Sequence, residues 1–364
     1  MTGAALPPLD RAARLDRLRG ALDDVADAVL VTHLVNTRWL VGFTGSSGWL
    51  LVGPDRATFV TDGRYGEQAA AELDGLDVEL VVTSTPATAV GAAGSGFARV
   101  ALEAAAVTWD QQRTIATEWL TTAELVPTVG LVEALRERKE PGEIARIEAA
   151  AAIADAALGE VVPMLRAGPT EAEVALALEV AMRRLGADGP AFDTIVASGP
   201  ASARPHHRPD ARVITTGDLV VIDMGARVDG YCSDMTRTFV VGEPSAEQAR
   251  MLAVVTAAQA AGVAAAGPGV PTADVDAAAR QVIADAGWAD AFVHPTGHGL
   301  GLEIHEALRV AATSTATLAV GHAVTVEPGV YLPGVGGVRV EDTVEITPDG
   351  CRPLTRSPKA STLA

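Results

Sequence analysis

Residues 9–26 place Leu9, Ala12, Leu15, Leu18, Leu22 and Val25 at helical spacing with Arg and Asp between them, which predicts an amphipathic opening helix. The pattern then changes to short apolar runs. Residues 28–31, 49–52 and 57–61 read as strands, the last two joined by the turn Gly53-Pro54-Asp55. Asp62-Gly63-Arg64-Tyr65 ends the third run and leads into a helical stretch at 67–73. Residues 78–83 and 99–102 complete a β/α alternation, with loop-like Ala-Gly-Ser sequence between them. This half is expected to be a small α/β domain covering residues 1–135.

Charge density rises through Glu133-Ala134-Leu135-Arg136-Glu137-Arg138-Lys139-Glu140, and Pro141-Gly142 interrupts it, so a boundary is expected near here. A long alanine-rich helix follows to about Leu158. Thr170-Glu171-Ala172-Glu173 is a capping box that opens a second helix, ending near Gly186. Residues 192–198 are strand-like and lead to the loop Gly199-Pro200-Ala201-Ser202-Ala203-Arg204-Pro205-His206-His207. Further helices are expected at about 246–265 and 275–286. The second half, residues 136–364, therefore contains two units, each a set of helices followed by an acidic β-hairpin.

The first hairpin reads Val220-Val221-Ile222-Asp223-Met224-Gly225 and Tyr231-Cys232-Ser233-Asp234 around Asp229-Gly230. Asp223 and Asp234 are centred on residues 228–229, so pairing sets the two carboxylates opposite one another to within a residue. A bulge at Gly230 would change which face each occupies. In the second hairpin, Glu327 and Glu341 are centred on Gly334 within Pro333-Gly334-Val335-Gly336-Gly337. Between the hairpins lies His294-Pro295-Thr296-Gly297-His298-Gly299-Leu300-Gly301-Leu302-Glu303-Ile304-His305. It carries three of the chain's seven histidines. Two Asp, two Glu and one imidazole form a hard, oxygen-rich donor set that suits two divalent ions bridged by a water. Without a cation, such a cluster would be repulsive and costly to bury.

Composition narrows the possibilities. The chain of 364 residues is long enough for two domains, and at 48% hydrophobic it can build a large core. Its 28 basic residues against 46 acidic ones leave a net charge of −18, which argues against a nucleic-acid surface. No apolar run reaches the length of a membrane span, and Met1 to Arg19 lacks the apolar core of a signal peptide, so a cytoplasmic protein is expected. Two cysteines, Cys232 and Cys351, are too few for a disulfide framework. Cys232 reads as a small packing residue.

With these motifs, the chain resembles a proline-specific peptidase of the methionine aminopeptidase and creatinase superfamily. That implies an α/β N-terminal domain and an α+β C-terminal domain of the pita-bread fold. The resemblance assigns the metal ligands to Asp223, Asp234, His298, Glu327 and Glu341, and two substrate-side histidines to His206 and His305. It makes Glu327 the general base. It also implies two divalent ions, manganese first, although cobalt, iron or zinc would suit the same donors. Asn36-Thr37-Arg38-Trp39-Leu40-Val41-Gly42-Phe43-Thr44-Gly45-Ser46 and Asp62-Gly63-Arg64-Tyr65 resemble the N-terminal domain of aminopeptidases P and Xaa-Pro dipeptidases. A homodimer acting on peptides with proline at the second position follows from the same likeness.

Cleavage of Xaa-Pro-Yaa and longer peptides is expected over cleavage of Xaa-Pro dipeptides. The arginines that could hold a dipeptide's carboxylate, Arg204, Arg208 and Arg309, lie in no dedicated motif. A methionine aminopeptidase would lack the first domain, a creatinase-like enzyme would lack the full ligand set, and an inactive binding module would have lost ligands. Arg339, two residues before Glu341 on an alternating strand, is expected to tether that carboxylate. Tyr231 and Tyr331 either line the pocket or pack.

Overall fold

The computed structural model describes residues 5–359 and the short strand Thr362–Leu363. The chain divides into two compact units, one of residues 8–136 and one of residues 137–364 together with residues 5–7. In the first, a six-stranded sheet runs in the order Glu79–Val82, Ala57–Thr61, Trp49–Val52, Ala28–Val31, Arg99–Glu103, Glu124–Thr128. Ala28–Val31 pairs antiparallel with Trp49–Val52 but parallel with Arg99–Glu103, so the sheet is mixed. Leu30, Leu51, Val60, Val90 and Leu102 fill the core on one side. The opening helix spans Arg11–Leu22 and buries Leu15, Leu18 and Leu22, which follows from its apolar spacing.

Two of the segments that differ from the sequence expectation are helices. The Ala-Gly-Ser stretch before Arg99 contains the helix Pro86–Ala93, which begins on a proline and buries Val90. Its small residues form no apolar stripe, so periodicity misses it; Pro at the first turn is the signal that marks it. The unassigned motif at 34–41 is also a helix, Leu34–Val41, closed by Gly42 at φ 83°.

The second unit follows the expected plan of helices and then a hairpin, twice. Pro141–Val161 and Glu171–Arg184 precede the strands Leu219–Met224 and Met235–Val241, and Ala246–Ala265 and Thr272–Asp285 precede Ala323–Val326 and Asp342–Thr347. Thr170 caps its helix with Glu173 in a complete capping box. In the first hairpin Val228 faces Tyr231 and Met224 faces Met235, with no shift between them. The turn is therefore Asp229-Gly230, both at positive φ (47° and 79°), one residue beyond the expected centre and free of a bulge. Moving the turn by one residue moves the register by two. Asp223 consequently faces Thr236, and Asp234 lies diagonally across from it on the same face. In the second hairpin Val326 faces Asp342 and Gly329 faces Arg339, which puts Glu327 directly opposite Glu341.

The two hairpins also bond to each other. The Glu341 amide donates to the Thr236 carbonyl at 3.1 Å, and Thr238 Oγ1 donates to the Arg339 carbonyl at 2.8 Å. The edges of the two acidic hairpins therefore lie side by side.

Candidate metal centre and active site

His298 is held by backbone that only glycine permits. A Cβ on Gly297 would sit 2.0 Å from the Thr325 carbonyl oxygen, and one on Gly299 would sit 2.2 Å from that of Ala307. Gly299 pairs with Val324, so the loop is stitched to the strand leading to Glu327. The Nδ1 of His298 lies 3.0 Å from the Gly299 carbonyl; donation there leaves Nε2 as the free lone pair. Nε2 stands 3.4 Å from Asp234 Oδ2 and 3.5 Å from Glu327 Oε1. Asp223, Asp234 and Glu341 each present an oxygen within 4.8 Å of the others. All five expected ligands line one cleft of about 820 Å³, together with His206 and His305.

The carboxylates are oriented by neighbours that the expected ligand set did not include. Thr236 Oγ1 donates to Glu341 Oε2 at 2.6 Å, and Thr325 Oγ1 donates to Glu327 Oε1 at 3.1 Å. Both threonines stand two residues from a site acid on an alternating strand, a spacing legible in the sequence. Arg339 corrects an expectation. Its Nη2 donates to Asp223 Oδ2 at 2.6 Å, and it reaches Glu341 only through Thr236, to which Nε donates at 3.0 Å. The shifted first hairpin is the reason, because it places Asp223 beside Thr236 and in range of the guanidinium. Arg339 Nη1 also donates to the Tyr331 hydroxyl at 2.8 Å, and that hydroxyl lies 2.9 Å from His294 Nε2. Tyr331 thus supports the cleft from behind. Tyr231 packs elsewhere, donating to Glu143 Oε1 at 2.9 Å.

Electrostatics show what the donor set requires. Burial, reinforced by Asp223 and Glu327, raises the carboxyl pKa of Asp234 well above its ordinary value. Burial, then Asp234, Glu327 and Asp223, does the same to Glu341. Glu327 is raised by burial and by Asp223, against the pull of His298 and Arg339. Asp223 Oδ1 and Glu341 Oε1 are buried with no hydrogen-bond partner. Four acids, one arginine and two orphaned oxygens leave negative charge that protein groups do not balance, and divalent cations would balance it. The residues present therefore fit the expected ions.

The other ionisable groups sort by distance from this point. Desolvation, followed by the neighbouring rings of His298 and His206, lowers the pKa of His305, and its ring centroid lies 4.4 Å from that of His298. Lys139 Nζ, almost fully buried, pairs with Glu306 at 2.8 Å and so holds the residue after His305. His294 lines the cleft, with its pKa pushed down to about 4 mainly by burial. His322 lies outside the cleft lining and accepts from the Ala319 amide at 3.1 Å. Burial pushes the Cys232 thiol up to about 12, which fits the packing role expected of it. Arg208 and Arg309 line the cleft, but Arg204 does not.

Comparison with known proteins places both halves of the chain in known families. Residues 145–348 match the model of metallopeptidase family M24, and residues 14–138 match the creatinase/prolidase N-terminal domain. An uncharacterized peptidase, YqhT of Bacillus subtilis, is 42% identical over 348 residues, covering 95% of this chain and 98% of that one. Among solved structures, the Xaa-Pro dipeptidase from Bacillus anthracis superposes with a TM-score of 0.94 at 40% identity, covering 97% of this chain and all of that one. The X-Pro aminopeptidase from Thermotoga maritima superposes with a TM-score of 0.89 at 35% identity, covering 96% of this chain and all of that one. The chain belongs to metallopeptidase family M24, with a creatinase-type α/β domain preceding a pita-bread catalytic domain.

Proposed function

We propose that the protein is an exopeptidase that hydrolyses the bond between an N-terminal residue and a following proline, using the domain at residues 136–364. The observation that carries this reading is the convergence of Asp223, Asp234, His298, Glu327 and Glu341 at a cleft also lined by His206 and His305. Divalent ions held by those five residues would polarise the scissile carbonyl and lower the pKa of the attacking water. Glu327 takes a proton from that water and returns it to the leaving imino nitrogen, a shuttle suited to its raised pKa. Thr325 holds its Oε1 in place. His206 and His305 donate to the oxygen that gains charge as the carbonyl becomes tetrahedral. An Xaa-Pro bond is a tertiary amide without an N–H, so the site must read ring shape; Phe192, Ile195 and Ile304 supply apolar wall. The likeness to the superfamily adds manganese and a homodimer.

The aminopeptidase form, which accepts residues beyond the proline, is the reading the N-terminal motifs support. A second reading, Xaa-Pro dipeptidase, is favoured by Arg208 and Arg309 in the cleft lining. Arg309 stands opposite His298 in the paired strands, within the same cleft as the ligands. A guanidinium there suits a proline carboxylate. Values of kcat/KM for Ala-Pro, Ala-Pro-Ala and Met-Ala-Ser separate the readings. Preference for Ala-Pro-Ala supports the aminopeptidase, and preference for Ala-Pro supports the dipeptidase. Preference for Met-Ala-Ser overturns proline specificity.

A further inference from the structure

His206 is exposed at the cleft, yet the residues on either side of it are anchored. On one side, the Pro205 carbonyl accepts from Arg339 Nη1 at 3.4 Å, and Arg339 is bonded to Asp223. On the other, His207 turns inward and is buried, with Nε2 2.7 Å from Glu171 Oε2. Glu171 is completely buried in the first turn of the helix Glu171–Arg184, where the helix dipole favours a carboxylate. Its Oε1 accepts from the Ser198 amide at 2.7 Å and from Ser198 Oγ at 2.6 Å. Its Oε2 also accepts from the Asp210 amide at 3.3 Å. Glu171, His207 and Asp210 lie close enough together to suggest an ion site. The Glu171 carboxylate already accepts four hydrogen bonds, however, so the cluster is a lock.

We infer that Glu171 is a positioning residue for His206, acting through His207: the buried Glu171–His207 bond fixes the loop so that the neighbouring imidazole points into the cleft. The helix start, the strand end at Ser198 and the loop at 207–210 meet at one carboxylate. Rotation of His207 out of its slot would leave the buried Glu171 carboxylate with an unmade bond, a cost the loop avoids by staying in place. The next residue in the chain therefore inherits a fixed backbone.

This inference rests on the proposed peptidase activity for its kinetic test, and a double-mutant cycle supplies it. In metal-loaded protein, His207→Leu should lower kcat for Ala-Pro-Ala by about 10- to 100-fold. KM and bound metal should stay nearly unchanged. His207→Gln, which can still donate to Glu171, should recover most of the rate. In a His206→Ala background, His207→Leu should have no further effect, because its action passes through His206. An equal loss in both backgrounds, or no rescue by glutamine, would overturn the inference. A second measurement stands apart from turnover. The His206 imidazole resonance, assigned with His206→Ala in histidine-labelled protein, should move in His207→Leu and return in His207→Gln; an unmoved resonance would also overturn it. Should the wild-type protein cleave no Xaa-Pro peptide, the functional reading falls and the resonance alone decides this one.

Discussion

Asp234 and Glu341 are buried carboxyls whose ionisation is opposed by burial and by neighbouring acids, while His305 borders the site beside the rings of His298 and His206. Those different surroundings predict different losses. Asp234→Ala or Glu341→Ala should abolish turnover and lower bound metal together, whereas His305→Ala should keep its metal and lose roughly 10²- to 10³-fold in kcat. Elemental analysis beside kinetics separates the cases; full metal with near-normal turnover in either acid variant would contradict the ligand assignment. Proton linkage gives an independent check. A carboxyl whose pKa is raised by folding favours the fold at pH below its unfolded value, and that contribution is lost as pH rises through the folded value. Metal-depleted protein should therefore lose stability as pH climbs from the ordinary carboxylate range through the raised values of Asp234, Glu327 and Glu341. Metal loading must then expel protons. Calorimetry in buffers of different ionisation enthalpy should record net release, and net uptake would contradict the account.

At the scale of elements, the site depends on close backbone contacts around His298. Gly297→Ala would drive a Cβ against the Thr325 carbonyl and push apart the strand that leads to Glu327. The expected cost is about 1–3 kcal/mol of stability together with weakened metal binding, read by denaturant titration and metal affinity. An unchanged midpoint and affinity would show that the strands do not need this approach. Much of this architecture was legible in the chain. Glu327 and Glu341 sit symmetrically about a glycine-rich turn, and they face each other. The first hairpin was harder, because Asp229-Gly230 rather than the midpoint of the two acids sets the turn. Since side-chain direction repeats every two residues, the resulting slip still left Asp223 and Asp234 on one face. Arg339 was legible as a strand residue facing the site. Its partner was not, because Asp223 arrives from a strand more than a hundred residues away whose register had to be known first. The Glu171–His207 bond was hidden for the same reason: a capping box announces the helix start and says nothing about which loop returns to it.

For the whole molecule, two hairpins far apart in sequence each carry half of an acidic cluster, and the glycine-rich histidine loop closes it. No helix among the described residues is long and apolar enough to cross a membrane. The chain carries a net charge of −18, and the acids that matter chemically are those that line the cleft. Their unbalanced charge joins fold to function, because the arrangement that repels itself without cations is the one that would organise them for hydrolysis. The most direct test is hydrolysis of Ala-Pro-Ala by chelator-treated protein as manganese is added back. No turnover is expected without metal, and recovery should saturate near two bound ions per chain, with Ala-Ala-Ala left uncleaved. Full activity in the chelated protein, or equal cleavage of the two peptides, would contradict that expectation.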